Sequence, residues 1–206
     1  MLMHEIKNPL AVVDMALLAN NDQRTTNAYV SRAVNSIKEV LDRCFKADRL
    51  SDGNINVELT KIKLAEFLDE LFQRKSWGNN TFQINVKASY AVHADLQLLG
   101  VAMSNLIDNA IRYGDPRAPI DIEARLQANK SGINGVAIVV SNRPGAASWP
   151  DTGKVFKKYY RSPGAESQSG TGLGLYLVRT LANLMHGECN YVPNDKNIRF
   201  ELWLPT

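Results

Sequence analysis

The pattern of apolar residues changes at one short segment, Ser51-Asp52-Gly53-Asn54, and this change sets the fold class. Before it, apolar side chains recur in steps of three and four, which is the spacing of amphipathic helices. After it, helical spacing alternates with short stretches in which every second residue is apolar, as in strands. Asp, Gly and Asn in succession are typical of a loop. We therefore predict an α+β chain of two domains, residues 1–52 and residues 53–206.

The first domain is predicted to be an antiparallel helical hairpin. Its first helix spans residues 2–19 with a kink at Pro9, and its second follows a polar turn at residues 20–23. The second helix carries a heptad-like apolar stripe: Val30, Val34, Ile37, Leu41 and Cys44. A lone hairpin cannot bury apolar stripes on both faces, but two hairpins can form a four-helix bundle. We therefore predict a homodimer through this hairpin.

The second domain is predicted to mix helices and strands. Strands are predicted at residues 56–59, 81–86, 120–126, 136–140, 188–192 and 198–204, and helices at 64–72, 95–113 and 173–185. Residues 142–169 are polar and rich in Gly, Pro and Ser. A segment of that length without regular structure usually has a function, often as a lid.

Composition excludes several classes of protein. Hydrophobic residues make up 45% and charged residues 22% of the 206 residues, as in ordinary globular proteins. The net charge of +3 gives no basis for nucleic-acid binding. The apolar runs are far too short to cross a bilayer, and no signal-peptide pattern is present. Cys44 and Cys189 are far apart, so we expect free thiols and a cytoplasmic location.

Four segments carry chemistry, and the first is His4-Glu5-Ile6-Lys7-Asn8-Pro9-Leu10. On a helix His4 lies off the apolar stripe, and an exposed imidazole with a pKa of about 6.5 is a usable nucleophile. Glu5 can orient the ring or take its proton, and Asn8, one turn further on, can position a water. Taken alone, these residues favour the alternative of a solvated His beside a solvated Glu on a helix surface, because one His near one Glu is common.

The second segment, residues 105–114, lies on the long helix predicted at residues 95–113. Asn105, Asn109 and Arg112 share one face of this helix, with Asp108 close by, and the rest of the helix is largely apolar. Amide oxygens can hold Mg²⁺ together with phosphates, and Arg112 supplies a cation for a phosphate. The alternative is a polar face in contact with water.

The third segment, Gly170-Thr171-Gly172-Leu173-Gly174-Leu175, opens a predicted helix. Glycines there let backbone N–H groups approach an anion at the positive helix end, although a flexible hinge is the alternative. Its position after the long polar segment disfavours a dinucleotide-binding fold.

The fourth segment, residues 155–161, mixes aromatic residues with three cations. In a lid, Phe156 would anchor the segment while a cation met a phosphate tail; the alternative is a loop packed on the surface.

Together the four segments resemble, in order and identity, the sensor histidine kinases of two-component signalling. His4–Leu10 resembles the H box, Asn105–Gly114 the N box, Phe156–Arg161 the F box and Gly170–Leu175 the second glycine box. The resemblance spans essentially the whole chain. It implies a dimerisation and phosphoacceptor hairpin followed by an α/β sandwich of the Bergerat (GHKL) type that binds ATP and Mg²⁺.

The resemblance also implies roles for single residues. His4 would be the phosphoacceptor, Glu5 its acid–base partner, and Asn8 would help a water dephosphorylate the partner regulator. Asn109 would be the Mg²⁺ ligand, and Asn105 would face the triphosphate–metal region. The other implied nucleotide contacts are Arg112, Tyr113, Lys157, Arg161, Gly170, Thr171, Gly172, Leu173 and Gly174.

This sequence departs from the family at the first glycine box, which usually has the form Asp-x-Gly-x-Gly. Here the strand at residues 136–140 leads into Ser141-Asn142-Arg143-Pro144-Gly145, with Ser141 at the Asp position, and only Gly145 retained. Charge-assisted hydrogen bonds are roughly twice as strong as neutral ones. We therefore expect weaker adenine binding, with the side chain of Ser141 or Asn142 standing in for the carboxylate.

The implied function is autophosphorylation on His4 followed by phosphoryl transfer to an aspartate of a response regulator, with phosphatase activity in bifunctional members. The alternative is a relative with impaired ATP binding that acts as a regulator phosphatase or a dimeric interaction module. A gyrase-type or chaperone-type ATPase fits poorly, because these place a Glu base where Asn105 stands. Only three residues precede His4. We therefore expect the catalytic core of a longer, membrane-tethered sensor with a weakened dimer.

Overall fold

The computed structural model of the chain describes residues 56–78, 80–165 and 172–206. The predicted hairpin with His4, Glu5 and Asn8 lies outside these residues, and so do the domain boundary at residues 52–53, Gly170 and Thr171. One compact unit comprises Asn56–Gln168 and Gly174–Thr206, and its fold is described below. Gly172 and Leu173 are grouped with the other unit.

A five-stranded sheet is the main element of this unit. Its strands are β2 (Phe82–Asn85), β4 (Ile120–Ala128), β5 (Asn134–Asn142), β6 (Glu188–Tyr191) and β7 (Ile198–Pro205), in the order β2-β4-β5-β7-β6. β2 is parallel to β4, and all other neighbours are antiparallel. β1 (Thr60–Lys63) and β3 (Ala91–Ala94) form a separate antiparallel pair.

Three helices complete the unit: α1 (Leu64–Arg74), α2 (Leu96–Tyr113) and α3 (Gly174–Leu184). α2 packs against α3 and β5, and α3 packs against α2, β6 and β7. The core between these helices and the sheet contains fully buried side chains from both layers: Leu99, Met103, Leu106, Ile107, Ile122, Ile138, Leu177, Leu202 and Leu204. The predicted α/β sandwich is confirmed.

The opposite face of the sheet carries charged side chains. Arg199 Nη2 of β7 donates to Glu123 Oε1 of β4 at 2.7 Å, and Arg125 pairs with Glu201. Glu201 is only 6% exposed, so this ion pair and the long side chains around it cover the centre of the sheet. The two faces are therefore easy to distinguish, one apolar beneath the helices and one ionic.

The ends of α2 follow directly from its sequence. Asp95 caps the first turn by accepting hydrogen bonds from the backbone N–H groups of Gln97 and Leu98, and Gly114 N–H closes the last turn on Ala110 O. An aspartate at this position satisfies donors that the helix itself leaves unpaired. The long helix predicted at residues 95–113 is confirmed.

One predicted strand is wrong, and one observed strand was not predicted. Residues 56–59 have no regular structure, and the strand lies instead at Thr60–Lys63, where it pairs with the unpredicted β3. Register against β3 places Ile62 opposite Val92, and both are buried, whereas Leu59 is 36% exposed. The position of β1 is therefore determined by its pairing with β3, about 30 residues later in the chain, and not by local alternation of apolar residues.

Cys189, on β6, is a free and buried thiol. Burial raises the pKa of this thiol to about 12, so it is inert at neutral pH. The prediction of a free thiol is confirmed for Cys189; Cys44 lies outside the described residues.

Candidate functional site

The carboxamide row predicted on α2 meets the start of α3. Asn105 and Asn109 are both half-buried, and Asn105 Nδ2 donates to Val101 O at 2.8 Å. A Cβ built on Gly174, the first residue of α3, would lie 3.1 Å from Asn105 Oδ1 and 3.8 Å from Asn109 Oδ1. Gly174 of the third sequence segment therefore lies beside the carboxamide row of the second, and the lack of a side chain at Gly174 keeps the space between them open.

This junction has the chemistry of an anion and metal site. The first N–H groups of a helix have no partner inside the helix, and the helix dipole favours negative charge there. The carboxamide oxygens opposite are hard ligands that suit Mg²⁺. Within the described ranges no group of three or more His, Cys, Asp or Glu side chains could hold a metal ion. A cation bound between these oxygens and the helix end would be shared between a carboxamide and the phosphates of a ligand.

Backbone pairing joins the end of α2 to the segment that leaves β5. Gly145 N–H donates to Tyr113 O at 2.9 Å and Asp115 N–H to Arg143 O at 3.0 Å, on either side of a bridge between Gly114 and Pro144. A Cβ on Gly145 would lie 2.5 Å from Gly114 O. Gly145 is therefore required for close approach of two backbones, whatever else it contacts.

Gly114 lies where the end of α2 pairs with the segment that follows β5, and the sequence analysis did not single it out as a site residue. A Cβ at this position would lie 2.4 Å from Ala110 O and 3.2 Å from Asn142 Nδ2. The signal that could have identified it is its position, as a glycine directly after the last apolar turn of a long helix.

Ser141 and Asn142, at the end of β5, lie on opposite faces of the sheet. Ser141 is paired with Asp121 and Arg199, on the ionic face, whereas Asn142 is paired with the buried Ile120 and Ile198. Asn142 also points toward Gly114 at the end of α2, and its Nδ2 donates to Arg143 O at 3.0 Å. Of the two candidate acceptors, Asn142 is the one that faces the helices.

The lid segment, defined here as residues 151–162, is anchored through Phe156. This ring is only 8% exposed, meets Phe200 of β7 edge to face with 6.1 Å between centroids, and lies 3.6 Å from Arg179 Cζ of α3. Phe156 therefore packs on the domain as predicted, and the role of the segment as a lid stays a prediction. Lys157, beside Phe156, is exposed. Arg161 is half-buried, and its Nη2 donates to Ala165 O.

The remaining predicted residues have simple descriptions. Arg112 and Tyr113 are half-buried on the last turn of α2. Gly172 has a φ of +66°, a conformation that favours glycine, and Leu173 is buried.

Asp108, which the spacing put near the carboxamide row, is engaged elsewhere. Its two carboxylate oxygens accept hydrogen bonds from Trp77 Nε1 and Lys75 Nζ, each at 2.8 Å. Trp77 also packs on Phe72 and Phe82. Asp108 therefore ties α2 to the chain that follows α1.

Comparison of the sequence with protein families gives a match in the C-terminal part of the chain. The family described as "Histidine kinase-, DNA gyrase B-, and HSP90-like ATPase" matches residues 94–206, more than half of the chain. Among curated proteins, Escherichia coli sensor histidine kinase HprS is 26% identical over 213 residues, covering 99% of this chain and 46% of the relative. Pseudomonas aeruginosa sensor protein kinase PmrB is also 26% identical, covering 98% and 44%. The chain thus spans less than half of each relative.

Solved structures show the same fold. Acinetobacter baumannii histidine kinase AdeS superposes with a TM-score of 0.76 at 13% identity, covering 98% of this chain and 97% of that chain. Full-length ShkA, solved in complex with AMPPNP, gives 0.70 at 21% identity, covering 98% and 44%. Among the described helices none is both long and apolar enough to cross a membrane. The chain belongs to the histidine kinase-, DNA gyrase B- and HSP90-like ATPase family, and within it to the sensor histidine kinases.

Proposed function

We propose that this chain binds ATP and transfers its γ-phosphoryl group to His4, and from there to an aspartate of a response regulator. The observation that carries the proposal is the approach of Gly174, at the positive end of α3, to Asn105 and Asn109 of α2. Unpaired helix N–H groups opposite hard amide oxygens suit a phosphate tail with a divalent cation. The site needs the nucleotide pool of the cytoplasm, where we place this chain.

Each proposed residue has one task in the first transfer. A ring nitrogen of His4 forms the new P–N bond as the bond between the γ-phosphorus and the bridging oxygen breaks, and ADP leaves. Glu5 accepts the imidazole proton, and the same residue with Asn8 would direct water in a dephosphorylation step. Homodimerisation through the hairpin would present His4 to the nucleotide. These roles rest on the family resemblance of His4–Leu10.

The cation would be held by Asn109. Both ends of its carboxamide face Gly174, since a Cβ built there would lie 3.6 Å from Nδ2 and 3.8 Å from Oδ1, and Oδ1 is the atom that would bind the cation. Asn105 stands one turn before it. Bound Mg²⁺ would neutralise charge on the phosphates during transfer. Arg112 on the last turn of α2, and Lys157 and Arg161 of the lid segment, are the cations proposed for the phosphate tail, and Gly170–Leu173 would complete the lid base.

The adenine end is proposed to rest on Asn142 and Tyr113. Asn142 Nδ2 is already used by Arg143 O, which leaves Oδ1 as the acceptor for an amino group of the base. A neutral acceptor is weaker than the carboxylate usual in the family. Ser141 stays a predicted nucleotide contact from the sequence, but its side chain lies on the ionic face of the sheet, so Asn142 is the proposed acceptor for adenine.

Labelling with ATP radioactive at the γ-phosphate tests the proposal. Wild-type chain should take up acid-labile label, and His4→Gln should take up none. His93→Gln is the matched control, because His93 is an exposed histidine on β3, away from the carboxamide row. Equal labelling of His4→Gln and wild type would refute His4 as the acceptor.

The neutral Asn142 favours one second candidate, a relative with impaired ATP binding that acts as a phosphatase of the regulator or as an interaction module. Thermal unfolding with and without MgATP separates the candidates, because a ligand that binds only the folded state raises Tm. A clear rise in Tm supports the kinase. No rise, with faster loss of phosphate from a phosphorylated receiver domain, supports the phosphatase; no effect of either ligand supports the interaction module.

A further inference from the structure

Two cation–π contacts of opposite direction join the lid segment to α3. Arg179 Cζ of α3 lies 3.6 Å from the centroid of the Phe156 ring in the lid segment. Lys158 Nζ of the lid segment lies 4.9 Å from the centroid of the Tyr176 ring on α3. Each element thus supplies one cation and one aromatic ring to the other.

Both partners on α3 are held at fixed positions. Tyr176 and Arg179 are three residues apart and share a face of the helix. Arg179 Nε and Nη2 donate to Cys189 O of β6 at 3.2 and 3.1 Å, so its planar group is oriented before it stacks on Phe156. A fixed guanidinium loses little freedom on stacking, which makes it an effective support.

Other contacts also hold the lid segment, among them the hydrogen bond from Arg161 Nη2 to Ala165 O. The buried side chains of the lid segment are Val155 and Phe156, and Lys154 and Lys157 are exposed. Asp151 N–H donates to Tyr160 Oη at 3.0 Å, but this bond closes the segment on itself. Phe156, the residue before Lys157, therefore links the position of this cation to β7 and α3.

We propose that Arg179 and Tyr176 are positioning residues, which hold the lid segment against the helix whose first residue faces Asn105. The inference rests on the proposed binding of ATP. α3 then has two tasks: its first residue faces the phosphates, and Tyr176 and Arg179 further along it fix the segment that carries Lys157 and Arg161. Neither Arg179 nor Tyr176 touches the reacting atoms in this arrangement.

The test measures affinity for two ligands. Wild type, Arg179→Met and the double variant Arg179→Met/Tyr176→Leu are titrated calorimetrically with MgATP and with adenosine. An exposed cation–π contact predicts MgATP affinity about twofold to fivefold weaker for Arg179→Met, and a larger loss for the double variant. Adenosine lacks the phosphate tail, so its affinity should stay unchanged. Arg179 is exposed, so its substitution should leave the fold intact.

Lys87→Met is the matched control, because Lys87 Nζ stands 5.9 Å from the Tyr90 ring, away from α3. It removes a contact of the same kind and should change neither affinity. Hydrogen exchange in residues 151–162 should become faster in Arg179→Met but not in Lys87→Met.

Three results are decisive. Equal MgATP affinity in wild type and the double variant would overturn the positioning role while leaving the proposed function in place. Parallel loss of MgATP and adenosine affinity would show a structural defect and overturn it as well. Absence of MgATP binding in wild type would instead overturn the proposed function, and the positioning role with it.

Discussion

Gly174 and Asn105 stand so close that a single methyl group on the glycine would come within 3.1 Å of the Asn105 Oδ1 atom. Gly174→Ala gains helix propensity but pushes the carboxamide out of place by a few tenths of an ångström. We expect MgATP affinity to fall about tenfold, the loss that follows when one hydrogen bond to a charged group is weakened. Isothermal calorimetry measures it.

Gly100→Ala is the control for this experiment. Gly100 lies inside α2, and a Cβ there would meet no heavy atom within 4 Å. The substitution should raise the free energy of unfolding by about 0.5–1 kcal/mol, because glycine is a poor helix former, and should leave MgATP affinity unchanged. Equal affinities of Gly174→Ala and Gly100→Ala for MgATP would contradict the prediction.

Asn142 and Ser141 form a second matched pair, one residue apart and on opposite faces of β5. We expect Asn142→Ala to weaken adenosine binding about tenfold, because the acceptor on the helix side is lost. Ser141→Ala should leave adenosine affinity within about twofold, since its side chain faces Asp121 and Arg199. Displacement of a fluorescent adenine nucleotide analogue by adenosine measures the adenosine affinity of both variants. The opposite ranking would restore Ser141 as the adenine contact.

Asp95 makes the stability of the domain depend on acid pH. Burial raises the pKa of this carboxyl, but hydrogen bonds from the backbone N–H groups of Leu98, Glu58 and Gln97 outweigh it and hold the pKa below the ordinary 3.8. The stabilisation is therefore present above pH 3.8 and lost as pH falls through the lowered pKa of the folded state. Asp95→Ala should cost about 0.5–2 kcal/mol of unfolding free energy at neutral pH.

Urea unfolding of wild type and Asp95→Ala at pH 7 and at pH 3 measures this difference, which should shrink at the lower pH. Asp69→Ala serves as control, because Asp69 is exposed on α1, and its effect at pH 7 should be small. A difference that stays constant with pH would refute the role of the Asp95 charge.

His186 follows the last residue of α3 by two positions and has a left-handed conformation, with a φ of +57°. A side chain costs roughly 1–2 kcal/mol in that region, so His186→Gly should stabilise the domain despite the greater freedom of glycine when unfolded. The expected rise in Tm is about 2–4 °C, measured by calorimetry. Gly187→Ala should do the reverse, because its Cβ would lie 2.3 Å from Trp203 O. A lower Tm for His186→Gly would mean that the imidazole makes a compensating contact.

Long elements with local signals were predictable from the sequence, and elements chosen by distant partners were not. α2 carries its own cap at Asp95 and an apolar face, so its limits were evident. β1 and β3 are four residues each and exist because they pair with one another, which no local pattern reveals.

The site divides in the same way. The spacing of Asn105 and Asn109 predicted a shared face, and the family order of segments predicted that Gly174 would join them. The motif left both Ser141 and Asn142 as candidates for the adenine contact, and alternation along β5 from Ile138 and Val140 leads to Asn142 on the helix side. Arg179 gave no signal, since an exposed arginine on a helix is unremarkable until its stacking partner is known.

Arg143 contributes its carbonyl oxygen to the junction, accepting from Asp115 N–H and Asn142 Nδ2, each at 3.0 Å. Every amino acid has a backbone carbonyl oxygen. A substitution at position 143 therefore keeps this acceptor as long as the chain follows the same path. The sequence of the first glycine box can therefore change at position 143 while the backbone pairing that fixes the chain beside the end of α2 is retained.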